Sequence, residues 1–190
     1  TSQQPTLGFS IKSQLGSPST LLNAGKTTNF VFKLTSLIDK TEIERINSMM
    51  VKRGTKESAD LKGRVKAIYS NKSELNFFKP ERQIFSNNLI LIDSKLPEIL
   101  SQIVYEFYSS DKSSVSDLVE NTNTKNPLGF DIANDHKFYE YKIKRFLTDI
   151  ALGMMPSKVW TGQYDATGGY LIVKENGDVL CYHIYNKNEF

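Results

Sequence analysis

Two β-rich runs, Gly169-Tyr170-Leu171-Ile172-Val173-Lys174 and Asp178-Val179-Leu180-Cys181-Tyr182-His183-Ile184-Tyr185, flank Glu175-Asn176-Gly177, and no other stretch constrains the fold as much. An Asn-Gly pair tolerates the positive φ of a tight turn, so the two runs predict an antiparallel hairpin. A further strand signal stands near the front, where residues 7–14 (LGFSIKSQ) alternate with period two. Leu7, Phe9 and Ile11 fall on one face and Ser10, Lys12 and Gln14 on the other, which predicts an apolar trio in the core and a polar stripe facing outward. Gly16 and Pro18 end this run.

Between these ends the period changes. Residues 29–34 (NFVFKL) and 73–79 (SELNFFK) predict short strands, the second ended by Pro80. Asp39 or Thr41 caps an expected helix through about Met50, with Ile38, Ile43, Ile46 and Met50 at helical spacing and Glu42 and Glu44 in its first turn. Residues 51–66 hold Lys52, Arg53, Lys56, Lys62, Arg64 and Lys66, and they read first as a solvated helix and loop. Leu89, Ile92, Leu96, Leu100, Ile103, Val104 and Phe107 make an apolar stripe over 84–107, which Pro97 kinks or restarts. A short helix opens at Ser114, Asn126-Pro127-Leu128-Gly129 forms a turn, and an amphipathic core helix follows over 135–154. The expected class is mixed α/β in one domain.

The whole-chain properties bound the function. A length of 190 residues with 39% apolar and 24% charged content suits one globular domain. A net charge of +3, from 24 basic against 21 acidic residues, permits a polyanionic partner without requiring one. Cys181 alone, with His136 and His183 far apart in sequence, excludes a disulfide framework and a structural zinc cluster, and it suits a reducing compartment such as the cytoplasm. No apolar run approaches the roughly 18 residues of a membrane span. The polar start at Thr1, without an initiator methionine, leads to the expectation of a piece cut from a longer chain, truncated at both ends.

Several chemistries lack their parts. There is no Gly-x-Ser-x-Gly elbow, and Gly25-Lys26-Thr27 matches only the end of a phosphate-binding loop. Metal-dependent phosphodiester cleavage needs oxygen ligands for Mg²⁺ and a lysine near the attacking water, whose point charge offsets the charge that develops on phosphorus. Nucleases of the PD-(D/E)xK type place an acid and this lysine two residues apart on one strand, hence on one face. Ser10-Ile11-Lys12 has that spacing with serine in the acid's place, although the tripeptide alone reads first as a surface strand lysine.

The longer strings decide between these readings. GFSIKSQLGSPSTLLNAGKTTNF closely resembles type II restriction endonucleases of the HpaII group, and the resemblance continues in FSNNLILIDSKLPEIL, FYEYKIKRFLTDIALGMMP and YDATGGYLIVKENGDVLCYHIYN. It implies a restriction-endonuclease-like central β-sheet flanked by helices. It also implies Mg²⁺-dependent cleavage of double-stranded DNA at a short palindrome, CCGG in the group's namesake, within a restriction system whose functional counterpart is a cognate DNA methyltransferase. Lys12 would be the catalytic lysine, Ser10 the replacement for the second acid, and Gln14 the next residue on the same face. The first acid has no candidate in residues 1–6 and would lie upstream.

Alternatives remain open. Glu140-Tyr141-Lys142 is a true acid-x-lysine, but it falls in an expected helix where residues two apart diverge. Glu42 or Glu44 could bring a carboxylate to a metal, yet a helix N-terminus explains both. For DNA contact the polar segment 17–29 stands out, with Ser17, Ser19, Thr20, Asn23, Lys26 and Asn29 beside Ser13 and Gln14, because hydroxyls and amides bind phosphates and Asn or Gln reads base edges. Lys33, Arg53 and Arg64 are further choices for guanine. A palindromic target suits a homodimer. The rival from another class is a sequence-specific DNA-binding module that does not cut.

Overall fold

The computed structural model describes residues 7–15 and 25–184. Its elements in chain order are β1 (Phe9–Ser13), β2 (Phe30–Leu34), α1 (Lys40–Asn47), β3 (Met50–Arg53), β4 (Lys56–Ala59), α2 (Leu61–Ser70), β5 (Leu75–Pro80), α3 (Gln83–Ile92), α4 (Leu96–Ser109), α5 (Val115–Lys125), α6 (Phe138–Ala151), β6 (Gly169–Val173) and β7 (Val179–His183). The mixed α/β class therefore stands. Among the described residues, strands form a three-stranded sheet in the order β1-β6-β7 and two-stranded ladders β2-β5 and β3-β4. No described helix is long and apolar enough to cross a membrane.

The chain interleaves two compact units, residues 1–29, 81–96 and 141–190 in one, 30–80 and 97–140 in the other. The first contains the β1-β6-β7 sheet and α3, and its buried apolar side chains include Phe85, Leu89, Phe146, Ile150, Met154 and Tyr170. In the second, Ile46, Ile99, Leu118 and Tyr139 are buried, and the Tyr139 hydroxyl donates to Asn126 Oδ1 while accepting the Leu128 N–H, each at 3.0 Å.

Local chemistry explains most boundaries. Asp39 caps α1 through Oδ1, which accepts the Thr41 N–H at 2.8 Å, and Ser114 caps α5 by accepting from Asp117 N. Asn126 ends α5 in the left-handed region at φ 42°. The stripe over 84–107 is two helices, broken at Asp93, with Pro97 in the first turn of α4 where its missing N–H is harmless. Around Glu175-Asn176-Gly177 the expected hairpin forms, with Gly177 at φ 86° and β6 antiparallel to β7.

Three expectations change. Met50 does not close the first helix: α1 stops at Asn47, and Met50 opens a hairpin that turns at Gly54 with φ 62° and places Lys52 opposite Glu57. The basic segment is thus a hairpin followed by α2. The core helix starts at Phe138, after Asp135 adopts φ 58°, and ends at Ala151, before Met154. Lastly, Leu7 and Ile11 are not buried, being 53% and 65% exposed, whereas Ser10 and Lys12 are half-buried. The pairing of β1 selects the face that is enclosed, and alternation alone could not.

Candidate active site

β1 lies parallel to β6 in a register that sets Ser10 beside Tyr170 and Lys12 beside Ile172. Hydrogen bonds beyond the ladder extend it at both ends, from Gly168 N–H to Gly8 O at 2.7 Å and from Gln14 N–H to Val173 O at 2.8 Å. Two glycines allow close approaches around this ladder, of residue 165 to β1 and of β7 to β6. A Cβ on Gly8 would sit 1.8 Å from Asp165 O, and one on Gly169, which adopts φ 141°, would sit 1.8 Å from Tyr182 O.

Side chains of paired residues in a sheet share a face, so Ser10 and Lys12 lie with Tyr170 and Ile172. Tyr170 is 7% exposed, and burial pushes its phenol above the usual value, opposed by the neighbouring Ser10 hydroxyl. The phenol therefore stays neutral across ordinary pH and fixes the surroundings of the serine. Tyr170 was missed in the sequence because it reads as one more aromatic strand residue. Among the described residues, the Lys12 ammonium has neither an ion-pair nor a hydrogen-bond partner, although the side chain is half-buried. A cation held in this state is available to an anionic ligand.

The rival Glu140-Tyr141-Lys142 lies on α6, where two positions separate by about 200° around the axis. Lys142 is occupied by an ion pair with Asp93, both side chains being largely buried. Glu42 accepts two hydrogen bonds from Arg45, at 2.6 and 2.7 Å, and one from Asn71 at 3.0 Å. Arg45 in particular holds its carboxyl down at about 2. These contacts give Glu42 a local role in the second unit; Glu44 lies on the same helix.

The DNA-contact candidates divide. Ser17, Ser19, Thr20 and Asn23 lie outside the described residues, as do 1–6 and 185–190. Ser13 and Gln14 are exposed at the end of β1, and Ser13 Oγ accepts the Leu15 N–H at 3.2 Å. Lys26 is exposed on a turn closed by the Thr28 N–H to Gly25 O bond at 3.1 Å, unlike a phosphate-binding loop feeding a helix. Asn29 donates to Glu81 Oε2 at 2.9 Å. Lys33 sits 3.7 Å over the Phe78 ring, and Arg64 donates to the carbonyls of Asn47 and Met49, closing the end of α1. Arg53 lies on β3, its side chain outside the description. His136 stacks on Phe138, while His183 packs edge-on to Phe9 with Nε2 3.5 Å from Cys181 Sγ.

Among the described residues no three His, Cys, Asp or Glu side chains converge as a metal site. Ser10 offers a neutral oxygen, so the described residues alone do not fit a complete Mg²⁺ site, which wants carboxylates as well as water and phosphate.

On β1, then, a lysine with no ion-pair or hydrogen-bond partner among the described residues stands two residues after a serine and on the same face as a buried tyrosine. The family model for the HpaII restriction endonuclease matches residues 1–190, and the chain belongs to that family. It is 55% identical over 186 residues to the type II restriction enzyme HpaII of Haemophilus parainfluenzae, an alignment covering 98% of this chain and 49% of that enzyme. The chain thus spans about half the length of this curated relative. No solved structure matches.

Proposed function

We propose that this chain, taken as one nuclease domain, belongs to a type II site-specific deoxyribonuclease that hydrolyses double-stranded DNA at a short palindrome, CCGG or a close variant, with Mg²⁺ as its divalent ion. What carries the reading is Lys12 on β1, without an ion-pair or hydrogen-bond partner among the described residues, in a chain 55% identical to a type II restriction enzyme. Lys12 places a positive charge where the scissile phosphate gains negative charge and orients the attacking water. Ser10 lies beside it, paired in register with the buried Tyr170, and Gln14 follows on the same face at the exposed end of the strand. Ser13, Lys26 and the hydroxyls and amides of 17–29 contact DNA. Bound Mg²⁺ would polarise the phosphate. Two copies would match the two-fold symmetry of the target, the protein acts in the cytoplasm, and a methyltransferase protects the host sequence.

Plasmid DNA incubated with the full-length protein and Mg²⁺ should give discrete bands that disappear with EDTA and with Lys12→Ala. Ser10 in an acid's place favours one other reading, a module that binds DNA without cutting. DNA retained at low salt but never cut would establish that reading and overturn the nuclease.

A further inference from the structure

Residues 152–168, between α6 and β6, contain no helix or strand, a length beyond the roughly 12–15 residues at which irregular loops become uncommon and usually functional. This one is firmly held. Asn88 on α3, a buried polar side chain, donates through Nδ2 to the carbonyls of Met155 and Lys158 at 3.2 and 2.8 Å, while its Oδ1 accepts the Trp160 N–H at 3.1 Å. The fully buried Asp149 accepts the Tyr164 hydroxyl at 2.7 Å, and the Trp160 indole N–H donates to Gln163 O at 2.8 Å. Burying such groups is favourable only if they are satisfied, so the fold fixes this loop in one shape.

The outer side is of another kind. Lys158, Thr161 and Gln163 are exposed, and among them Val159 stands 76% exposed, a bare apolar side chain within a polar rim. The loop meets β1 where the Asp165 carbonyl approaches Gly8, four strand residues or about 13 Å from Lys12. The base of the loop and Lys12 thus lie along one strand, about four base-pair rises apart.

We propose that this loop is a preformed DNA-contact element, Lys158 meeting a backbone phosphate and Val159 and Gln163 entering a groove. The inference rests on the nuclease reading and adds to it a second contact from the same unit. A cation positions the duplex, while an amide and an apolar side chain read base edges and methyl groups. Asn88 acts as a positioning residue, removed from the DNA.

The test measures binding of the full-length protein in EDTA to a duplex containing the site mapped from its own cleavage products. Lys158→Ala should weaken binding about tenfold and lower the slope of log affinity against log salt by about one, with an unchanged melting temperature. Gln163→Ala should reduce the preference for that duplex over a scrambled one by about tenfold. Both variants alter exposed side chains, so folding does not confound them. If wild type cuts DNA while both variants match it in affinity, slope and preference, the loop proposal is overturned and the nuclease reading survives. If Val159→Ser changes the sedimentation of the protein and neither DNA measurement responds to any loop variant, the loop is a protein interface and the proposal also fails. Wild type that neither binds nor cuts overturns both.

Discussion

Ser10-Ile11-Lys12 and Glu140-Tyr141-Lys142 have one spacing and opposite fates. On β1 the two ends share a face, Lys12 is half-buried, and no described partner neutralises it. On α6 the two ends diverge around the axis, and Lys142 is closed off by Asp93. The better match to an acid-x-lysine pattern is thus the poorer candidate, because only a strand's twofold period puts two residues so spaced on one face. A charge already paired contributes to the fold, and an unpaired one is free to meet a phosphate.

The largest expected effect separates the two lysines. Lys12→Ala in the full-length protein should slow plasmid cleavage by about 100-fold or more, since it removes charge compensation at the reacting group, while thermal unfolding stays as in wild type. Rapid cutting by this variant would break the comparison. Lys142→Ala should do the converse, losing about 1–3 kcal/mol in urea unfolding because Asp93 is left largely buried without its partner, while cleavage continues under conditions where the protein is folded.

A smaller effect sharpens the β1 side. Tyr170→Phe removes the phenol beside Ser10 and should slow cleavage about five- to tenfold, the equivalent of about 1 kcal/mol for one hydrogen bond. Ser10→Ala added to it should cost little more, since both changes break one interaction. Rates that multiply instead would show the two residues acting separately.

The smallest effect concerns Glu42. Its folded-state carboxyl is depressed to about 2 from an ordinary 4.5, so the interaction with Arg45 and Asn71 stabilises the fold above pH 4.5 and is lost as pH falls from there toward 2. Glu42→Gln should flatten the acid limb of the stability profile in that window and leave cleavage at neutral pH unchanged. Abolished cleavage with a normal fold would make Glu42 a metal ligand after all.

Much of the architecture was legible because local chemistry dictates it. Asp39 and Ser114 are cap residues, Asn176-Gly177 is a turn, and the stripes over 84–107 and 135–154 repeat at helical period. The β3-β4 hairpin escaped because its strands are polar and its turn at Gly54 lacks a flanking apolar pattern. For the site, the stripe of Ser10, Lys12 and Gln14 was readable, and the order of its surroundings was not. By itself the sequence determined which residues alternate, where helices start and stop, and to which family the chain belongs, since these follow from neighbours a few positions apart. Tertiary structure alone decided that β1 pairs with β6 across more than 150 residues, so that Ile11 is exposed and Lys12 half-buried. It also decided that Asp93 neutralises Lys142 and that Lys12 has no partner among the described residues, because burial and charge pairing depend on groups that lie close only once the chain has folded.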